Sequence, residues 1–191
     1  MKKGCLGLIL GGLVLFVFIM VVYGISFNNT VVTMREGVKS QWAQIDNQLL
    51  RRSDLIPNLV STVKGYAKHE KDIFTNLNNA RNSLLAANTV GEKAQATGDL
   101  NVALNRLMAV VENYPNLKAD QTFIRLQDEL TGTENRLAFA RKNYNDQVQK
   151  YNTKIKRFPG SIIAGMIGAK EEEYFNIPTA AKEVPKVDFS G

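Results

Sequence analysis

VKSQWAQIDNQLLRRSDLIPNLVSTVKGYAKHEKDIFTNLNNAR, residues 38–81, decides how the rest of the chain is read. Apolar residues return every three or four positions: Val38, Trp42, Ile45, Leu49, Ile56, Val60, Val63, Ala67, Phe74 and Leu77. That spacing lays a single stripe along a helix. Steps of seven from Leu49 to Ile56 to Val63 hold the phase across Pro57, which predicts one long helix kinked at the proline. The competing reading is a break, with Asp54 capping a new helix and Pro57 in its first turn, where the missing N–H is harmless. No glycine or other loop former lies near residues 51–54 to make room for a hairpin, so the kink is favoured and helix is expected to about residue 87.

Outward from that stretch, composition sets the class. The chain has 191 residues, five prolines and one cysteine, and its glycines gather near the ends. With abundant Leu, Ala, Asn, Gln, Lys and Arg this points to an all-α protein, and the part behind an N-terminal anchor is long enough for one domain with a core. The formal net charge is +6, of which Lys2 and Lys3 supply two. The remainder is spread without a concentrated basic stripe, which excludes nucleic acid as an expected partner and suits either simple solubility or a surface facing anionic lipid. The lone Cys5 sits at the membrane edge, so no intrachain disulfide is expected, and the compartment is left open. No apolar core precedes it, as a lipoprotein site would need, and an inert thiol is the plainer reading than palmitoylation.

From Gly4 to Met34 there is no charged residue. Residues 5–25 are apolar and at ~1.5 Å per residue reach across the ~30 Å hydrocarbon core, which predicts a transmembrane helix. A cleaved signal peptide is the alternative, but its apolar core is ordinarily shorter, about 7–15 residues. Lys2 and Lys3 before the span, against the uncharged residues 26–34 after it, place the N-terminus in the cytoplasm and the bundle outside by the positive-inside rule. Gly4, Gly7 and Gly11 fall on one side of the span and favour close helix–helix approach in lipid, although glycine content alone also produces such spacing. Residues 26–38 read as helix leaving the membrane without a flexible linker, which would hold the domain close to the bilayer.

The first break is expected at Asn88-Thr89-Val90-Gly91, then a helix over about 92–113 with Leu100, Ala103, Leu104, Leu107 and Val111 on one face. Asn113-Tyr114-Pro115-Asn116 is a turn. The last long helix is expected over about 120–157, where Leu130, Leu137, Tyr144 and Tyr151 recur every seven residues with Leu126, Val148 and Ile155 beside them, a coiled-coil-like seam. Phe158-Pro159-Gly160 ends it. In residues 161–169, Ile162, Ile163, Met166 and Ile167 share one helical face. They read either as a cap on the bundle core or as an interfacial or partner-binding patch. Residues 170–191 carry Pro178 and Pro185 and are expected to wrap on the bundle as an extended tail. The expected organisation is therefore a cationic start at 1–4, a transmembrane helix at 5–27, an antiparallel bundle of the four-helix, up-and-down type at 28–157, and a short apolar element with its tail at 158–191.

Reactive chemistry has few candidates. His69 is the only histidine, a zinc site needs three or four ligands, and HExxH is absent. No serine sits in GxSxG, and no phosphate loop or dinucleotide fingerprint occurs. Paired carboxylates such as Asp128/Glu129 read as solvated faces. No catalytic residue, metal or cofactor is expected. The polar residues singled out are Arg51, Arg52 and Asp54 around Pro57, together with Arg81, Glu134, Arg136 and Arg141. Arg51 or Arg52 is expected to bond the carbonyl that the proline frees near Ser53, or to pair with Asp54. Arg81 or Arg141 is expected to meet a carboxylate on a facing helix and fix register. The alternative is a polar partner site centred on residues 51–54.

A resemblance runs along nearly the whole chain. Gln41-Trp42-Ala43-Gln44-Ile45-Asp46, Arg51 to Val60 (RRSDLIPNLV) and Val63 to Glu70 (VKGYAKHE) are similar to the LemA family. Glu112-Asn113-Tyr114-Pro115, Gly132-Thr133-Glu134-Asn135-Arg136, Phe139-Ala140-Arg141, Tyr144-Asn145, Tyr151-Asn152, Phe158-Pro159, Glu173-Tyr174-Phe175 and Val184 to Phe189 agree in order. The resemblance implies a membrane-anchored bundle of antiparallel helices in a bacterial inner membrane, without a defined catalytic activity. A member in magnetosome-forming bacteria is linked to shaping the inner membrane, so the resemblance also implies membrane organisation. The expected partners are thus the lipid bilayer and further copies of the chain, beside a protein partner of unknown identity. The two readings carried forward are a self-associating scaffold and an adaptor for a membrane enzyme or protease.

Overall fold

The computed structural model describes residues 2–67 and 69–177, with side-chain surroundings from residue 10 onward. It is all-α, and among the described residues there is no strand. Six helices follow one another: α1 (Lys2–Tyr66), α2 (Lys71–Ala86), α3 (Val90–Val111), α4 (Pro115–Lys118), α5 (Gln121–Lys156) and α6 (Gly160–Met166). The tail from residue 178, with Pro178 and Pro185, and the surroundings of Gly4, Cys5 and Gly7 lie outside the described residues. The chain divides into two compact units, one of residues 1–40 with 146–172 and one of 41–145 with 173–191.

Helix α1 runs through Pro57 without a break. Its end corrects the expectation of helix to about residue 87. The chain turns after Tyr66, and Ala67 closes the last turn with its N–H on the Val63 carbonyl at 2.9 Å. The apolar stripe gave no warning, because Ala67, Phe74 and Leu77 are buried on both sides of the reversal. A signal was nonetheless present: Gly65, and then an unbroken polar run from Lys68 to Asp72 where a buried stripe would need an apolar residue.

In the first unit, α1 changes character along its length. Large residues from Leu10 to Ile25 are exposed, whereas Phe27, Val31 and Val38 are buried. Val148, Tyr151 and Ile155 of α5 and Ala164 of α6 are buried in the same unit. Gly160 allows α6 to start there, because a Cβ at that position would collide with the Phe27 ring. Residues 170–172 are extended and tied to α5. The Tyr151 hydroxyl donates to the Lys170 carbonyl at 2.9 Å, and the Asn152 carboxamide both donates to the Glu172 carbonyl and accepts its N–H, each at 2.9 Å.

In the second unit the helices alternate in direction. Along α1, Trp42, Arg52 and Tyr66 meet Tyr144 and Glu134 of α5 and Asp120 just before its start. Every step forward on α1 is matched by an equal step back on α5, which defines an antiparallel pair in constant register. Arg81 of α2 reaches back to residue 53 of α1, and Lys93 at the start of α3 pairs with Asp46 at 2.9 Å. The long helices thus form an up-and-down bundle around Ile45, Leu49, Ile56, Leu77, Leu100, Leu107, Leu130 and Leu137. Caps secure the ends. Thr89 and Glu92 form a capping box on α3, and Asp120 accepts from the N–H groups of Thr122 (2.8 Å) and Phe123 (3.0 Å) at the start of α5. Residues 113–116, expected as a turn, lead into the short helix α4, with Pro115 in its first turn.

Candidate functional site

The polar groups inside the second unit form a seam between α1, α2 and α5. Arg52 is 7% exposed, which makes it the buried charge of this seam. Its guanidinium Nη1 donates to Glu134 Oε2. Burial pulls the Arg52 pKa below its ordinary value, against the opposing charge and hydrogen bond of Glu134. One residue on, the Ser53 carbonyl would normally accept from the N–H four residues later. That residue is Pro57, which has none. Arg81 Nε fills the gap and donates to this carbonyl at 2.9 Å.

This arrangement corrects two expectations. Neither Arg51 nor Arg52 takes the freed carbonyl: Arg51 and Asp54 are exposed, and Arg52 points across to Glu134. The reason is directional: helix side chains lean toward the N-terminus, so Arg51 and Arg52 lean away from the Ser53 carbonyl, which points toward the C-terminus, whereas a neighbouring helix can aim a donor at it. Nor does Arg81 or Arg141 meet a carboxylate in the expected way. Arg81 takes the backbone carbonyl, and the Arg141 guanidinium lies 5.5 Å from the centroid of the Phe175 ring. Arg136 is exposed and approaches Gly132 on its own helix. Of the residues singled out in the sequence, the structure brings together Arg52 with Glu134, and Arg81 with the turn that contains Pro57.

A second constellation was not singled out. Phe175 is fully buried, with its ring 6.0 Å from Trp42, and Trp42 lies 5.6 Å from Tyr144. Asn145 holds the backbone of Phe175 by both groups, accepting its N–H at 2.9 Å and donating to its carbonyl at 3.2 Å, and the Tyr144 hydroxyl donates to the Glu173 carbonyl at 2.8 Å. The first unit uses the same device at Tyr151-Asn152. The signal was a Tyr-Asn pair repeated at an interval of seven residues on the expected last helix.

In the first unit, Gly11 has open space where a Cβ would stand. Helix α6 buries Ala164 but exposes Ile162 (59%), Met166 (82%) and Ile167 (41%), with Ile163 half-buried. It therefore presents a bare apolar face. Among the described residues, one helix is long and apolar enough to cross a membrane, the N-terminal part of α1. His69 is exposed in the turn after α1, and among the described residues no group of three or more His, Cys, Asp or Glu could hold a metal ion.

A family model described as the LemA family matches residues 41–189. Two magnetosome proteins of Paramagnetospirillum magneticum, MamQ 1 and MamQ 2, are each 29% identical over 173 residues, covering 77% of this chain and 64% of the relative. The magnetosome protein MamQ of Magnetospirillum gryphiswaldense is 27% identical over 174 residues, 78% of this chain and 64% of its own length. The chain thus spans somewhat less than two thirds of these relatives.

Proposed function

Because the chain belongs to the LemA family, we propose that it is a non-catalytic, membrane-anchored scaffold that self-associates and organises the membrane around its span. The carrying observation is the division of labour within α1. Its residues 10–25 are bare, as a lipid-facing stem requires, and its later residues supply packed cores. The interior polar groups support the same reading. Arg52, the buried charge, is engaged by Glu134, and Arg81 by a carbonyl, so both serve to join helices. The open side of Gly11 suits close approach of a second stem. Its orientation, with the N-terminus in the cytoplasm of a bacterial inner membrane, follows from Lys2 and Lys3.

The test is the oligomeric mass of the full chain in mild detergent. Gly7→Ile with Gly11→Ile should lower it, and an unchanged mass removes self-association through the span. A second reading, an adaptor for a membrane enzyme or protease, is favoured by one surface of the second unit. There a groove lined by Gln41, Gln44, Gln48, Asn135 and Arg136 is flanked by Phe139, which is 67% exposed. Recovery of one stoichiometric foreign partner on crosslinking in native membranes, against self-crosslinks alone, separates the two.

A further inference from the structure

We propose that α6 and the adjoining Phe158 insert into the acyl-chain region of the leaflet that surrounds residues 16–25 of α1, and that the groove between α6 and α1 holds a lipid chain. The groove lies wholly within the first unit. Its walls include Phe16, Met20 and Tyr23 from α1, Ile162 and Met166 from α6, and Ile167 just past the end of α6. Phe158, next in sequence to the lining residue Pro159, is 80% exposed.

Three observations choose lipid over a second protein. First, the groove is continuous with the bare part of α1, so whatever solvates that span also reaches α6. Second, residues 158–169 carry no charge, while Arg157 and Lys170 bracket them and are exposed. An ionisable group at bilayer depth costs several kcal/mol, and cations at its edge are drawn to anionic headgroups. Third, the part of α1 that lines the groove rises roughly 14 Å at ~1.5 Å per residue, about half of a ~30 Å hydrocarbon core. An element of this kind occupies one leaflet only. Seven residues cannot cross the bilayer, but an apolar helix beside a span can lie in its interface. Its end is made to turn: Gly168 has φ +67°, where other residues are strained.

The inference rests on α1 anchoring the chain, and not on self-association. A nitroxide on Met166→Cys, with Cys5→Ser, tests it in the full chain reconstituted in vesicles of phosphatidylethanolamine and phosphatidylglycerol. Collisions with dissolved oxygen report lipid, and collisions with a water-soluble nickel chelate report solvent. Labels on Leu13→Cys and Phe139→Cys give the two references, both at exposed positions. The ratio of oxygen to nickel collisions at residue 166 should match that at residue 13 and exceed that at residue 139 several-fold. A ratio like that at residue 139 overturns the inference, and so does shielding from both reagents, which means that protein covers the face. If residue 13 itself collides with nickel, the anchor fails and the inference falls with it; if only residue 166 does, the anchor stands and the inference alone falls.

Discussion

Arg81 Nε lies 2.9 Å from the carbonyl of Ser53, the acceptor that Pro57 leaves without a helical donor. A helix defect on α1 is thereby repaired by α2. Removal of the donor leaves a part-buried carbonyl unsatisfied, which costs about 1–3 kcal/mol. Arg81→Met should lower stability by that amount in denaturant unfolding of the full chain in detergent. Pro57→Ala restores an N–H at the right place, so Arg81→Met should cost less in that background. The two changes should couple by about 0.5–3 kcal/mol in a double-mutant cycle, and simple additivity would show that the contact is incidental.

Arg52 and Glu134 make a different kind of bond. A charge held at 7% exposure has given up its water and depends on one partner. Glu134→Gln should cost about 1.5–3 kcal/mol, the range for hydrogen bonds to charged groups. Arg52→Leu with Glu134→Leu should cost less than either single change, because neither charge is then stranded. Urea midpoints of the four proteins check this.

Acid should loosen the helix starts. Asp120 lies below its ordinary pKa, first because the Phe123 N–H donates to it and then because the Tyr66 hydroxyl does. Glu92 is lowered by the N–H groups of Asn88 and Thr89. A carboxyl depressed in the folded state contributes stability that is complete above its unfolded pKa, about 4, and disappears as pH falls through the folded value. Stability should therefore decline below about pH 4. Asp120→Asn with Glu92→Gln should be less stable near neutrality and flatter in acid. Unfolding midpoints between pH 7 and 2 give the comparison.

Two glycines should answer the same substitution in opposite ways. At Gly160 an added methyl meets the Phe27 ring, packed in a core that cannot yield cheaply, so Gly160→Ala should cost about 1–3 kcal/mol. At Gly37, inside α1, it meets only the amide end of Gln147 at 2.6 Å. That side chain can swing away, and helix propensity favours alanine by about 0.5–1 kcal/mol. Gly37→Ala should leave the melting temperature unchanged or raise it, while Gly160→Ala lowers it.

Phe175→Ala should empty a fully buried aromatic site, at about 3–5 kcal/mol. The chain has one tryptophan, and Trp42 touches that ring. Its emission should shift to longer wavelength before any global unfolding, and an unaltered spectrum would mean that residues 173–175 do not shield it.

Local periodicity explains how much of this architecture was legible. The seam of Leu130, Leu137, Tyr144 and Tyr151 located α5 to within a residue at each end, because a seven-residue repeat is enforced by packing along the whole helix. The break at residues 88–91 was equally plain, since it depends on chemistry within a few residues, although Thr89 was not read as the cap and the turn at 113–116 leads into α4. The reversal at 67–70 escaped because an apolar stripe keeps its phase whether the chain goes straight or doubles back to bury the same face. The partner of the Ser53 carbonyl escaped for a related reason. Pro57 announces that a donor is needed, but only the pairing of α1 with α2 brings Arg81 to it. The grip on Phe175 was hidden because asparagine on a helix ordinarily signals a solvated face.

Asn145 and Asn152 each clasp one residue by its backbone N–H and C=O, and the bonds go to the main chain alone. Such a clasp is blind to side-chain identity. Glu172 could change its chemistry freely without loosening the hold on its backbone, whereas each asparagine is fixed by its reach, one methylene shorter than glutamine. Variation should therefore be tolerated at position 172 more readily than at 145 and 152, while Phe175 is held in place by its own burial.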